Sequence, residues 1–145
     1  MAVLANWAGQ GMRDVASGTI NLNANTFGFM LMTGYAFNQD THHFRSDVSG
    51  EVATGSGYTY GGATLTGATI TYDTASNEVR WDFADPSFPT SSFSASQAAV
   101  YKRRGGTSAA DELVMYIEFG GTQTVTSGTF TYQVPATGAG VITVA

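Results

Sequence analysis

The chain contains no cysteine, which excludes disulfides and thiolate zinc sites, and with them any cysteine-stapled scaffold. Charge is scarce too. Only 12% of residues are charged, about half the usual quarter of a globular chain. The net charge is −5, so a nucleic-acid backbone, which needs a basic face, is not the expected partner. No run of 18 apolar residues occurs, so no spanning helix and no membrane partner are expected. The opening Met1-Ala-Val-Leu-Ala-Asn6 lacks a basic n-region and a long apolar stretch, so no signal peptide is expected.

What is present reads as strands. The 145 residues amount to one domain, and a globule of that size buries roughly 70% of its unfolded surface without a staple. There are 18 glycines and 12% aromatics, with abundant Thr, Val and Ile, the composition of strands joined by glycine turns. Period-2 alternation predicts a strand at Thr19-Ile-Asn-Leu-Asn23 with Ile20 and Leu22 inward. Phe27-Gly-Phe-Met-Leu-Met-Thr33 is apolar on both faces, as in a strand covered on two sides. Residues 38–47 are polar and predict a helical turn capped by Asp40 or Thr41 and anchored by Phe44. The clearest signal is a hairpin. Ile70 and Tyr72 share one face, Asp73-Thr-Ala-Ser-Asn77 turns, and Val79, Trp81 and Phe83 return inward.

Asp85-Pro-Ser-Phe-Pro89 is a rigid connection. Strands are predicted at 94–101 and 113–119, the second stopped by Gly120-Gly121. Two more follow at 129–134 and 141–144, the first with Phe130, Tyr132 and Val134 inward. The fold class expected is all-β, an antiparallel β-sandwich or jelly-roll-like barrel. Residues 1–17 hold Trp7 and Met12 among glycines without a strand pattern. They are expected to form an extended N-terminal arm, leaving 18–145 as a single β-sandwich domain.

Residues that could carry chemistry have plainer explanations. His42 and His43 are the only histidines, and neighbours diverge by about 100° on a helix or point oppositely on a strand. A single metal ion is therefore not expected between them, nor is any cofactor. A serine nucleophile would need a Gly-x-Ser-x-Gly elbow, which is absent. Asp73, Asp82 and Asp85 surround the hairpin and could be imagined as a glycosidase pair, but Asp82 alternates outward with Glu78 and Arg80. Gly55-Ser-Gly-Tyr-Thr-Tyr-Gly-Gly62 lacks the following helix and Lys-Ser/Thr of a phosphate loop, so it reads as a wide turn. No catalytic residue is assigned. The candidates that remain are contact residues: Trp7 and Met12 on the arm, Tyr58 and Tyr60 in the glycine loop, and Lys102, Arg103 and Arg104 at a hairpin tip.

Several of these segments are similar to known sequences. Asn38-Gln-Asp-Thr-His-His-Phe44, Asp47-Val-Ser-Gly-Glu-Val52, Gly55-Ser-Gly-Tyr-Thr-Tyr-Gly-Gly-Ala-Thr-Leu-Thr-Gly67 and Thr71-Tyr-Asp-Thr-Ala-Ser-Asn77 occur in that order. Ala98-Ala-Val-Tyr-Lys102, Tyr116-Ile-Glu-Phe-Gly-Gly-Thr-Gln123 and Ser127-Gly-Thr-Phe-Thr131 follow. Together they resemble a group of tailed-phage virion structural proteins, head decoration (cement) and minor capsid proteins, collinearly over residues 18 to 134. The resemblance implies a non-enzymatic β-rich protein, made in the host cytoplasm, that binds the major capsid protein on the outside of the virion, commonly as a homotrimer. Two departures stand out: the Lys102-Arg-Arg104 tip where an acidic one is the pattern, and the first seventeen residues. The competing expectation is a tail or head fibre module whose Tyr58, Tyr60 and Trp81 form a platform for host carbohydrate.

Overall fold

The computed structural model describes residues 3–144. Two antiparallel sheets pack as a sandwich, and the sheet does not close into a barrel. The larger runs β1 (Leu4–Trp7), β7 (Leu113–Thr131), β6 (Ser87–Lys102), β2 (Phe27–Met32) and β3 (Ala63–Thr64) in spatial order. The smaller is β4 (Thr69–Asp73), β5 (Glu78–Asp82) and β8 (Gly140–Thr143).

The doubly apolar segment behaves as its sequence predicts. All six residues of β2 are buried. Alternation sends Phe27, Phe29 and Leu31 toward the small sheet, into a core with Val100, Ile117, Trp81 and Phe83. Met30 and Met32 face the other way, against Tyr35, Tyr101, Leu113 and Tyr116. Residues 35–48 cover that second face, while helix α1 (Gly9–Ala16) packs its Val15 against the first core. At Gly28, opposite Tyr101 in the β2–β6 ladder, a side chain would have to displace the buried Tyr101 ring: a Cβ would lie 2.4 Å from it.

The hairpin expected at 69–83 is the β4–β5 pair, in register from Thr69↔Asp82 to Asp73↔Glu78. Other expectations need correction. Residues 19–23 turn rather than extend, because the Asn21 and Asn25 side chains accept local backbone N–H groups that a ladder would otherwise use. Ile20 and Leu22 are nevertheless inward and buried. Gly120-Gly121 does not stop β7. Both glycines sit at positive φ beside a register shift in the β6–β7 ladder, so the strand bends and continues to Thr131.

The N-terminal segment is not an extended arm. β1 pairs with β7 from Leu4↔Glu118 to Trp7↔Met115, and α1 follows directly, with Ala8 fully buried. Gly11 in α1 lies so close to the Leu113 carbonyl that a Cβ would be 2.2 Å from it. Trp7 joins the two sheets. Its ring stacks on Trp81 at 5.9 Å, and its indole N–H donates to the Val141 carbonyl at 3.1 Å. Trp81, 1% exposed, donates in turn to Leu22 O at 3.0 Å and meets Phe27 edge-on at 5.0 Å. The joint leaves no room at Gly140, where a Cβ would fall 2.3 Å from Trp7.

Gly140→Ala is therefore expected to lower stability by more than about 1 kcal/mol, the usual cost of overpacking. Gly106→Ala adds a methyl that meets nothing within 4 Å, and is expected to stay within about 0.5 kcal/mol of wild type. Urea melts of the two variants decide it, and equal midpoints would count against the joint. Deleting residues 2–17 removes β1, α1 and Trp7 together, so loss of the cooperative melt is expected, not a folded domain lacking an arm.

Candidate interaction surface

Of the residues singled out above, His42 and His43 lie on the segment that covers the second face of the large sheet. Residues 35–48 run from the end of β2 across that face. Tyr35, Phe37 and His42 pack with Tyr116, Phe37 stacking on Tyr116 at 4.8 Å. The helical turn comes later than expected, at Arg45–Asp47. Its cap is the Asp47 carboxylate, which accepts from the His43 and Phe44 N–H groups at 2.8 Å each. Asn38, not Asp40 or Thr41, is the acceptor at the preceding bend.

The two histidines take separate partners. His42 Nδ1 sits 2.5 Å from the Tyr35 hydroxyl, whose pKa burial pushes up to about 12. His43 Nε2 reaches Asp14 of α1 at 2.5 Å, and Arg13 holds the same carboxylate at 3.0 Å. Burial alone would raise the Asp14 pKa, but the bonds from His43 and Arg13 outweigh it and hold the carboxyl below its usual range. Among the described residues, no three His, Asp or Glu side chains converge as metal ligands.

The basic run at 102–104 is a clamp. Lys102 donates to Thr19 O at 2.6 Å. Arg103 donates to Gly61 O at 2.9 Å. Arg104 pairs with the buried Glu112 at 2.5 Å. Beside them Arg45 bonds the buried Asp111 at 3.0 Å. Its guanidinium lies 4.9 Å from the Tyr60 ring and 5.0 Å from the Tyr101 ring, a cation–π arrangement. These contacts tie the glycine loop to the β6–β7 connection.

The two tyrosines of that loop have opposite fates. Tyr58 is 2% exposed; its hydroxyl accepts from Leu31 N at 3.1 Å and donates to Glu51 at 2.7 Å. Tyr60 is 61% exposed. Of the contact residues expected from sequence, Tyr58 is therefore held inside the fold, and Trp7 is half-buried with its ring packed on the core. Met12 is half-buried, and Tyr60 is the large aromatic left outside. The hairpin acids are also engaged locally. Asp73 caps its turn at Ala75 N and pairs with Arg80, Asp82 accepts from Phe83 N, and Asp85 accepts from Val134 N.

The sequence did not single out Ile70 and Tyr72 as contact residues. They lie on the inward side of β4 yet are 44% and 53% exposed, because β4 overhangs the core at the sheet edge. Ile70 lines a shallow hollow of about 310 Å³ with Val15, Ile20 and Leu22. Alternation alone cannot reveal this, since an overhanging strand has the same pattern as a covered one.

Because the folded-state pKa of Asp14 is depressed, its stabilisation is present above the unfolded-state value and is lost as pH falls through the folded one. Urea midpoints are expected to be level from about pH 7 to about pH 5 and to fall below about pH 4. Asp14→Asn should cost about 1–3 kcal/mol at neutral pH and make the acid limb shallower, the lowered carboxyls of Asp47 and Glu112 carrying the remainder. An unchanged acid limb in that variant would remove Asp14 from the account.

Comparison with protein-family models, with curated proteins and with solved structures returned no match.

Proposed function

We propose that this chain is a virion structural protein that binds the outer surface of a tailed-phage capsid, through its major capsid protein, and stabilises the shell. The observation that carries this is the collinear resemblance over residues 18 to 134. The fold is compatible with it: resembling segments 38–52 and 55–67 form the covering loops and the Tyr60 turn. Side chains with chemical potential are taken up in holding those loops. His43 is bound to Asp14, Arg104 to Glu112 and Arg45 to Asp111.

The mechanism is one of differential affinity. A shell under internal pressure gains stability from a protein that binds the expanded lattice better than its precursor. Symmetry repeats a modest contact many times, so avidity replaces a single strong site. In this proposal Tyr60, Ile70 and Tyr72 supply rigid contact area, and the attaching unit is a homotrimer on the virion. The carbohydrate alternative is weakened because two members of its aromatic platform, Tyr58 and Trp81, are buried.

Purified protein mixed with capsids lacking it should bind saturably and raise the internal pressure those capsids survive. Protein that stays in solution at capsid excess would sink the proposal. Tyr60→Ser combined with Tyr72→Ser should weaken attachment at least about tenfold, equivalent to about 1.4 kcal/mol, while leaving the thermal melt in place.

A further inference from the structure

The charges of this chain are unevenly distributed. Neither residues 86–101 nor residues 119–144 contain an Asp, Glu, Lys, Arg or His. In the fold these segments form most of β6, the distal part of β7, and β8. In a protein with net charge −5, most of β6 and the distal part of β7, which pair with each other, thus carry no charged side chain.

The distal part of β7 is also an open sheet edge among the described residues. β1 covers β7 only along Met115 to Glu118. From residue 119 to 131, β7 is paired with β6 on one side and has no strand on the other among the described residues. Open edges are normally guarded by lysine, proline or inward charge. Here no charge and no proline occur between Phe119 and Thr131, although Gly120, Gly121 and Ser127 at positive φ bend the strand. Between the bends Thr122-Gln-Thr-Val-Thr126 is a regular, β-prone run. The bent strand also frames a concave groove of about 720 Å³, lined by Val3, Phe119, Gln123, Val125, Phe130 and Tyr132.

The geometry points to the outer edge of β7 as the place where a second copy of this chain docks, edge to edge across a two-fold axis. Two features select a copy over another partner. Like charge opposes the approach of two such acidic chains on other faces, and the β7 run from 119 to 131 carries none. The run is also self-complementary. Antiparallel pairing about Thr124 sets Thr122 opposite Thr126 and Gln123 opposite Val125, and Thr124 meets its own counterpart. Thr–Thr pairs are favourable cross-strand neighbours. A two-fold contact of this kind is isologous and closes, so the assembly holds an even number of chains: two, or six if a trimer forms on another surface.

The absence of native cysteine makes the test clean. Light scattering over a concentration series should give an even number of chains, and Thr124→Lys or Gln123→Lys should halve the mass while the melt stays cooperative and loses its dependence on protein concentration. Under mild oxidation Thr124→Cys should form a disulfide between copies, because directly opposed strand positions meet the Cα spacing required. Thr71→Cys on the exposed β4 serves as the control and should not. A single-chain mass at every concentration overturns the inference. So does an assembly whose mass neither lysine changes, or Thr124→Cys crosslinking no faster than the control. Capsid attachment plays no part in these readings, so the docking edge and the virion proposal stand or fall separately.

Discussion

The contact between Trp7 and Trp81 is the constraint on which the sandwich depends. One ring comes from the edge of the large sheet, the other from the middle strand of the small one, and each indole N–H ends on a backbone carbonyl of a third segment. Four separate stretches of chain are thereby brought to one place: β1, β5, β8 and the turn at Leu22. Aromatic pairs contribute about 0.5–1.5 kcal/mol beyond their buried area. The geometric effect is larger than that figure, because Gly140 lets the β8 backbone lie directly on the indole. A sandwich without a disulfide needs some such fixed point to set how its sheets face each other.

The second face of the large sheet is covered differently. Long loops lie over it, and polar contacts, one of them to Asp14 of α1, supply much of their order. Asp14, Asp111 and Glu112 are buried carboxylates with basic partners on other segments. Removing one partner from such a pair leaves a buried charge without compensation, which is why these loops are held firmly despite lacking strands. The same arrangement leaves Tyr60 outside as a rigid aromatic, its ring supported by Arg45.

The legible parts of the fold were those determined locally. Alternation together with an aspartate-led turn identifies β4 and β5, and unbroken apolarity identifies β2. β1 could not be read because four residues are too few to show a period, and its partner lies far along the chain in β7. Gly120-Gly121 reads as a stop, but positive φ at an irregular ladder produces a bend instead. The lysine and arginines at 102–104 look like a solvated tip because Thr19 and Gly61, their distant partners, become neighbours only in three dimensions. Tyr58 and Tyr60 show the limit most sharply: two residues apart, chemically identical, they lie on opposite sides of the protein surface.

Trp7 and the carbonyl of Val141 are 134 residues apart, and that separation governs when the protein can become whole. The β6–β7 hairpin draws on neighbouring sequence and can form as soon as it leaves the ribosome. The bond that locks the two layers cannot form until residue 141 has also emerged. Closing so long a loop slows folding, because its entropy must be lost before the contact returns anything. Until then the face of β2 that carries Phe27 and Phe29 lacks its full cover. The nascent chain therefore passes through an interval in which its most apolar strand is open to other chains, and that interval ends only with translation of the eighth strand.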